Sequence, residues 1–403
     1  MKRMFPDKDW ISHALTHNVE RVVGEEDLGH RLLTGRPLRI KFGVDVTHPL
    51  IHLGHGVSLW KMREFQEHGH KVLFLIGDFT TRIGDPTGKS KTRPERTEAE
   101  IERDARLYIE QVTKILIDDS SVFEVRRNSE WYGMMPLSEF LGLCRKITHA
   151  RLIERDMFQK RMGEGSEIYM HELLYPILQG YDSVVLKSDL TIIGSDQLFN
   201  EMMGRHYQTL FGQSPQAIMT TVITPGLDGK EKQSKSLGNF IAISDTPSDM
   251  YGKTMTLPDE LIVTYFRVYT FASMEEIDAY ETELNNGANP RDVKMKLAHA
   301  LVSLYHGTEA ADNAQENFVN TFQKKQVGED VGEVTVKLPL SITEFLKESG
   351  HVKSNSEARR LVDERGVRME GETITDPQHM LEEGDNGKII KVGKRYFYKI
   401  VTQ

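Results

Sequence analysis

The stretch GVDVTHPLIHLGHG, residues 43–56, carries three histidines, and His52 and His55 are separated only by a leucine and a glycine. They stand where a strand pattern runs into a helix pattern, and three readings of them are open. As metal ligands they need a third donor and usually the i, i+4 spacing of a helical HExxH pattern, and neither is evident. As packing residues they are incidental imidazoles at the start of a helix. As anion contacts they use the free N–H groups and the dipole of a helix N-terminus. Gly54 and Gly56 would then let a ligand approach the backbone closely.

A second stretch, GKEKQSKSLGN at 229–239, places Lys230, Lys232 and Lys235 in a Gly- and Ser-rich loop after a strand pattern. Such a run is either a solvated face or a set of mobile cations. Beside a phosphate-binding helix, the cations could neutralise charge developing in phosphoryl chemistry.

The elements that must position these residues follow from periodicity. LRIKFGVDV reads as a buried strand, LGHGVSLWKMREFQEHG as a helix closed near Gly69, and KVLFLIGDF as a strand covered on both faces. Strand, helix, strand over this length is a βαβ unit, the building block of parallel sheets. The charged residues 88–165 are mostly helical by pattern, and with MHELLYPILQGYD they form a predicted helical insertion over 88–185. The strands DLTIIG and QAIMTTVIT then resume the α/β pattern.

The predicted fold is therefore α/β: a parallel-sheet, Rossmann-like domain over 1–245 and a helical domain over 246–325. A linker over 326–337 and a small α+β module over 338–403 complete it. In the module, Ser354 and Glu357 fit a capping box.

Composition bounds the function. The 403 residues are 38% hydrophobic and 28% charged, as in an ordinary globular protein, and no apolar run is long enough to span a bilayer. The basic start MKRMFPDKDW is not followed by an apolar stretch. Cys144 is the only cysteine, which excludes an internal disulfide and a cysteine-based zinc cluster. A cytoplasmic location is expected. A net charge of −9 argues against indiscriminate nucleic-acid binding but leaves room for a local basic site.

Taken together, HLGH resembles the HIGH signature, and KQSKS the KMSKS signature, of class I aminoacyl-tRNA synthetases, in matching order and βαβ context. Three further stretches resemble the bacterial tyrosyl-tRNA synthetases. YPILQGYD carries Tyr175, Gln179 and Asp182 at i, i+4 and i+7, on one helical face. IGSDQLFN puts Gly194, Ser195, Asp196 and Gln197 at a strand end, where α/β sheets bind ligands. IGDFTTRIGDPTGK carries Asp78 and Asp85, and the tail resembles the ribosomal-protein-type RNA-binding domain that ends many of these enzymes.

The resemblance implies a tyrosine–tRNA ligase that uses ATP, with Mg²⁺, as a substrate, and no protein-bound metal site or organic cofactor. It implies that Asp182 accepts a hydrogen bond from the phenol, that Tyr175, Gln179 and Asp85 hold the α-ammonium group, and that Gln197 lies near the carboxylate. Asp45 lines the amino-acid pocket and Asp196 lies near the ribose, with Gly54 and Gly194 against ATP. Thr47 and His52 meet the phosphates, His55 stands beside the nucleotide, and Lys232 and Lys235 close over the pyrophosphate. In the tail, Lys353, Arg359 and Arg360 contact tRNA phosphates. The partners implied are tRNA(Tyr), tyrosine, ATP and a second copy in a homodimer built on the insertion, with no membrane.

Two positions depart from the family. Lys41 stands where many tyrosyl enzymes have a tyrosine that contacts the substrate hydroxyl, and Gln233 replaces the methionine of KMSKS. Two rivals remain, a tryptophanyl-tRNA synthetase and a non-catalytic RNA-binding paralogue. The second would be expected to have lost the HIGH or KMSKS positions, and both are intact here.

Overall fold

The computed structural model describes residues 8–85, 96–235, 237–322, 332–352, 354–393 and 396–402. By internal contacts the chain forms two compact units, Met1–Thr246 with Lys253–Tyr305, and Pro247–Gly252 with His306–Gln403. The segment predicted as one helical domain over 246–325 is thus shared between them.

The first unit is built on a six-stranded sheet: β1 (Val19–Val23), β2 (Arg39–Val44), β3 (Lys71–Ile76), β4 (Phe123–Arg127), β5 (Leu190–Gly194) and β6 (Ala217–Thr221), in the order β1-β6-β5-β2-β3-β4. All neighbours are parallel except β1, which caps the edge antiparallel to β6. Strand β3 is a largely apolar run and β6, AIMTT, is buried along its whole length, as suits strands of a parallel sheet covered on both faces. Strand β4 lies inside the segment predicted as a helical insertion. Its FEVRR carries too many charges to read as a buried strand, yet it forms an exposed edge where polar side chains remain half-solvated.

Chain order reverses between β2 and β5, since β2 continues to β3 on one side while β5 continues to β6 on the other. Such a switch point is where α/β sheets open a ligand crevice. The register shows how it opens: β2 and β5 pair only at Ile40–Leu190 and Lys41–Thr191, then diverge toward their C-terminal ends.

The second unit has its own core, with Val334, Ile342, Phe345, Val362, Ile390 and Ile400 buried together. A five-stranded sheet packs with the helices Ile342–Glu348 and Asn355–Asp363, and Ser354 Oγ accepts from Glu357 N–H at 3.3 Å. The strand Gly332–Val336, parallel to Tyr396–Thr402, falls within the stretch predicted as linker. Its alternation is only two buried valines long, too short to register as a period.

Candidate active site

The helix Leu53–Glu67 begins at the splayed end of the sheet, with His52 as its extended N-cap. His52 N–H faces His55 Nδ1 at 3.5 Å, and the two rings lie 3.9 Å apart. The Nδ1 of His52 is buried and has no hydrogen-bond partner among the described residues. A Cβ at Gly54 would meet the His52 ring at 3.0 Å, so glycine is what lets the ring fold over the helix start. Burial, with the ammonium groups of Lys235 and Lys232 nearby, pushes His52 down to about 3. His55 is held well below the usual imidazole value by burial, then by His52 and Lys235. Both rings are neutral at physiological pH, so either meets an anion as a hydrogen-bond donor without a charge of its own.

The lysine-rich loop is brought to this helix by two backbone bonds, Leu53 N–H to Ile241 O at 3.0 Å and Ile243 N–H to Ile51 O at 2.9 Å. Within the loop, Asn239 Nδ2 donates to Asp228 Oδ2 and Ser234 N–H to Asn239 Oδ1, each at 2.8 Å. Lys232 Nζ reaches Asp196 Oδ2 at 3.2 Å, and Lys235 Nζ donates to the Tyr108 hydroxyl at 2.8 Å. Gln233 is buried and donates to the Tyr269 hydroxyl at 2.8 Å. That bond gives the departure from methionine a physical reason: the glutamine ties the loop to a buried phenol.

One cleft is lined by Asp45, Thr47, His52, Gly54, His55, Asp85, Tyr175, Gln179, Asp182, Gly194, Asp196, Gln197, Lys232 and Lys235, so every residue predicted for the catalytic site faces it. The helix Met170–Leu186 supplies Tyr175, Gln179 and Asp182 from one face. The Tyr175 hydroxyl donates to Asp45 Oδ2 at 2.9 Å, and Thr80 Oγ1 donates to Asp45 Oδ1 at 2.7 Å. Gln197 Nε2 donates to Asp85 Oδ2 at 2.9 Å, while Asn200 Nδ2 bridges Gln179 Oε1 at 2.9 Å and Gln197 Oε1 at 3.1 Å. Asp182 is buried at the floor and accepts from Trp131 Nε1 at 3.0 Å. In the other unit Arg359 and Arg360 are exposed on the helix Asn355–Asp363, Arg360 paired loosely with Glu364 at 3.8 Å. Lys353 lies outside the described residues.

A family model described as tRNA synthetases class I (W and Y) matches residues 33–323, and an S4 domain model matches residues 342–386. The chain belongs to the class I tRNA synthetases of the tryptophan and tyrosine type. It is 46% identical over 394 residues to a tyrosine–tRNA ligase of Moorella thermoacetica, covering 96% of this chain and 95% of that protein. It is also 46% identical over 387 residues to one of Thermotoga maritima, covering 96% of each. A tyrosyl-tRNA synthetase of Archaeoglobus fulgidus complexed with L-tyrosine has the same fold, with a TM-score of 0.61 at 23% identity over 77% of this chain and all of that one (100%).

Sequence reasoning marks Lys41 only as a departure from the family and gives neither its partners nor several other residues of this synthetase site. Lys41 is fully buried, with its Nζ 2.8 Å from Glu201 Oε2 and 2.8 Å from Ser183 Oγ. Glu201 also accepts from Gln179 and Gln216, each at 2.8 Å. Trp131 comes from the segment after β4, 51 residues before Asp182 in the chain, with no local motif to mark it. Asn128 and Asn200 likewise hold their places through partners distant in sequence. Among the described residues, no group of three His, Cys, Asp or Glu side chains could hold a metal ion.

Proposed function

We infer that this synthetase is a tyrosine–tRNA ligase, which joins tyrosine to AMP with release of pyrophosphate and then transfers the tyrosyl group to the 3′ end of tRNA(Tyr). The observation that carries the amino-acid assignment is Asp182, a buried carboxylate at the floor of the cleft, on the same helical face as Tyr175 and Gln179. Such an acceptor suits a phenol and leaves phenylalanine with nothing to offer it, an asymmetry for which tyrosyl enzymes are themselves the standard example. The tyrosine–tRNA ligases at 42–46% identity over nearly the whole chain support the same reading.

In the first step the carboxylate of tyrosine attacks the α-phosphorus of ATP, and pyrophosphate leaves. The nucleophile is already an anion, so no general base is required, and the enzyme's work is alignment and neutralisation. Asp85, Gln179 and Tyr175 hold the ammonium end of tyrosine, with Gln197 beside its carboxylate and Asp45 lining the pocket. Asp196 receives the ribose, and Gly54 and Gly194 give ATP room near the backbone. Thr47 and the neutral His52 donate to the phosphates, His55 stands beside the nucleotide, and Lys232 and Lys235 close over the leaving pyrophosphate. Mg²⁺ arrives with ATP. In the second step a hydroxyl of the terminal ribose of tRNA attacks the tyrosyl carbonyl, and AMP departs.

The helical segment and the S4 module bind tRNA, with Arg359, Arg360 and Lys353 on its phosphates. The enzyme works in the cytoplasm as a homodimer. Exposed Met134, Leu137 and Leu141 on the insertion support that interface. Amino-acid-dependent pyrophosphate exchange tests the assignment: exchange with tyrosine is expected, and exchange with tryptophan but not tyrosine would overturn it.

A further inference from the structure

Lys41 occupies the last paired position of β2 and β5, where the sheet splays and the cleft begins. Its side chain is 1% exposed and that of its partner Glu201 2%, so both charges sit in the protein interior. A buried ion pair is a poor device for stability alone, because apolar side chains of the same volume often do as well or better. This pair has two further connections. Lys41 also bonds Ser183 Oγ, one residue from Asp182 on the floor of the cleft. The second oxygen of Glu201 accepts from Gln179 Nε2, whose Oε1 continues through Asn200 and Gln197 to Asp85.

We propose that Lys41 and Glu201 form a positioning pair for the tyrosine side chain: Lys41 acts through Asp182 to keep an anionic acceptor beneath the phenolic hydroxyl, and Glu201 fixes both Lys41 and Gln179. The proposal rests on the tyrosine-ligase reading.

The groups facing Asp182 come from several elements. Lys41 faces it from β2, and Asn128, Trp131 and Tyr132 from the segment after β4, while Tyr175 lies on its own helix. Glu201, from the helix Leu198–Leu210, is linked to it through Lys41. Burial drives the Asp182 carboxyl up to about 7, and Lys41 is the largest influence in the opposite direction, ahead of the hydrogen bonds from Tyr132, Trp131 and Asn128. Without the cation the carboxyl would be protonated through the neutral range and lost as an anionic acceptor. Glu201 keeps the cation in register at the same time as it orients Gln179. One buried charge pair thereby serves both ends of the substrate.

The test compares the wild type with Lys41→Met, Lys41→Met/Glu201→Met and Lys41→Arg. Tyrosine- and phenylalanine-dependent pyrophosphate exchange is followed from about pH 5.5 to about pH 9. In Lys41→Met and the double variant, the acid-side fall in kcat/KM for tyrosine should move up by about one pH unit. Preference for tyrosine over phenylalanine should drop about tenfold or more, with the KM for ATP unchanged. Lys41→Arg, which keeps the cation, should restore much of the wild-type pH limb. The single Met variant strands Glu201 without its cation. The double variant removes both charges at similar volume, so it decides the matter should the single one fail to fold. A folded double variant with the wild-type pH limb and preference overturns the proposal, as does a uniform loss at every pH for both amino acids. A wild type that exchanges no pyrophosphate with tyrosine instead overturns the ligase reading itself.

Discussion

Lys232 Nζ lies 3.2 Å from Asp196 Oδ2, an ion pair that links the lysine-rich loop to the end of β5 across the mouth of the cleft. The two side chains are 54% and 39% exposed. A pair this exposed contributes at most about 1 kcal/mol and opens readily. If Asp196 receives the ribose, nucleotide entry exchanges this contact for one with ATP and frees Lys232 for the phosphates.

Replacing Lys232 and Lys235 by alanine should therefore slow adenylate formation by roughly a hundredfold to a thousandfold. Tyrosine affinity should stay near the wild-type value, since the Lys232 ammonium reaches Asp196 and the Lys235 ammonium the Tyr108 hydroxyl. Single-turnover pyrophosphate release and a fluorescence titration with tyrosine separate the two effects. A large loss of tyrosine binding would show that these lysines shape the pocket rather than meet the transition state.

Asp182→Asn keeps an oxygen for Trp131 Nε1 and so should fold. Its charge is gone, and a hydrogen bond to a charged acceptor weakens to a neutral one. The expected loss in kcat/KM for tyrosine is roughly 10- to 100-fold, with the KM for ATP unaltered. An unchanged tyrosine KM would remove Asp182 from the substrate contacts.

The buried His70 ring accepts the backbone N–H of Leu38 at 3.0 Å, which requires an unprotonated Nδ1. Burial, then the neighbouring His68, pushes it down from 6.5 to about 4. Between these values the unfolded chain binds more protons than the folded one, so this residue's contribution to stability declines as pH falls from about 6.5 to about 4. His70→Asn, which retains an acceptor for Leu38, should flatten the dependence of the urea midpoint on pH in that window. A variant with the wild-type slope would place the acid sensitivity elsewhere.

Among the described residues, the core of the C-terminal module is built from residues between Val334 and Ile400. A chain ending before Gly332 should therefore keep pyrophosphate exchange and lose most tRNA charging. Arg359→Ala with Arg360→Ala should weaken tRNA binding and lower its salt slope by about one per lost phosphate contact. Filter binding at several salt concentrations measures this. Equal losses of exchange and charging in the truncated chain would instead assign the module a role in folding.

Much of the site is legible in the sequence because its signals are local. HLGH and KQSKS each place their chemistry within a few residues, at a helix start and in a loop, and the face of YPILQGYD follows from helical spacing alone. Strand β3 is recognisable because both its faces are covered, whereas β4 and Gly332–Val336 are short, half-solvated or charged and leave no period to read.

What the sequence by itself determined is the set of chemical groups, their order along the chain and the βαβ frame that carries them. Tertiary structure alone decided their electrostatic state. The partner of Lys41 comes from Glu201, the donor to Asp182 from Trp131, and the neutrality of His52 from its burial. Charge, hydrogen bonding and desolvation depend on distances through space, and these are set only when β2 and β5 splay and the helices close over them. Lys41, anomalous in the sequence, becomes intelligible there as one half of a buried pair beside the floor of the pocket.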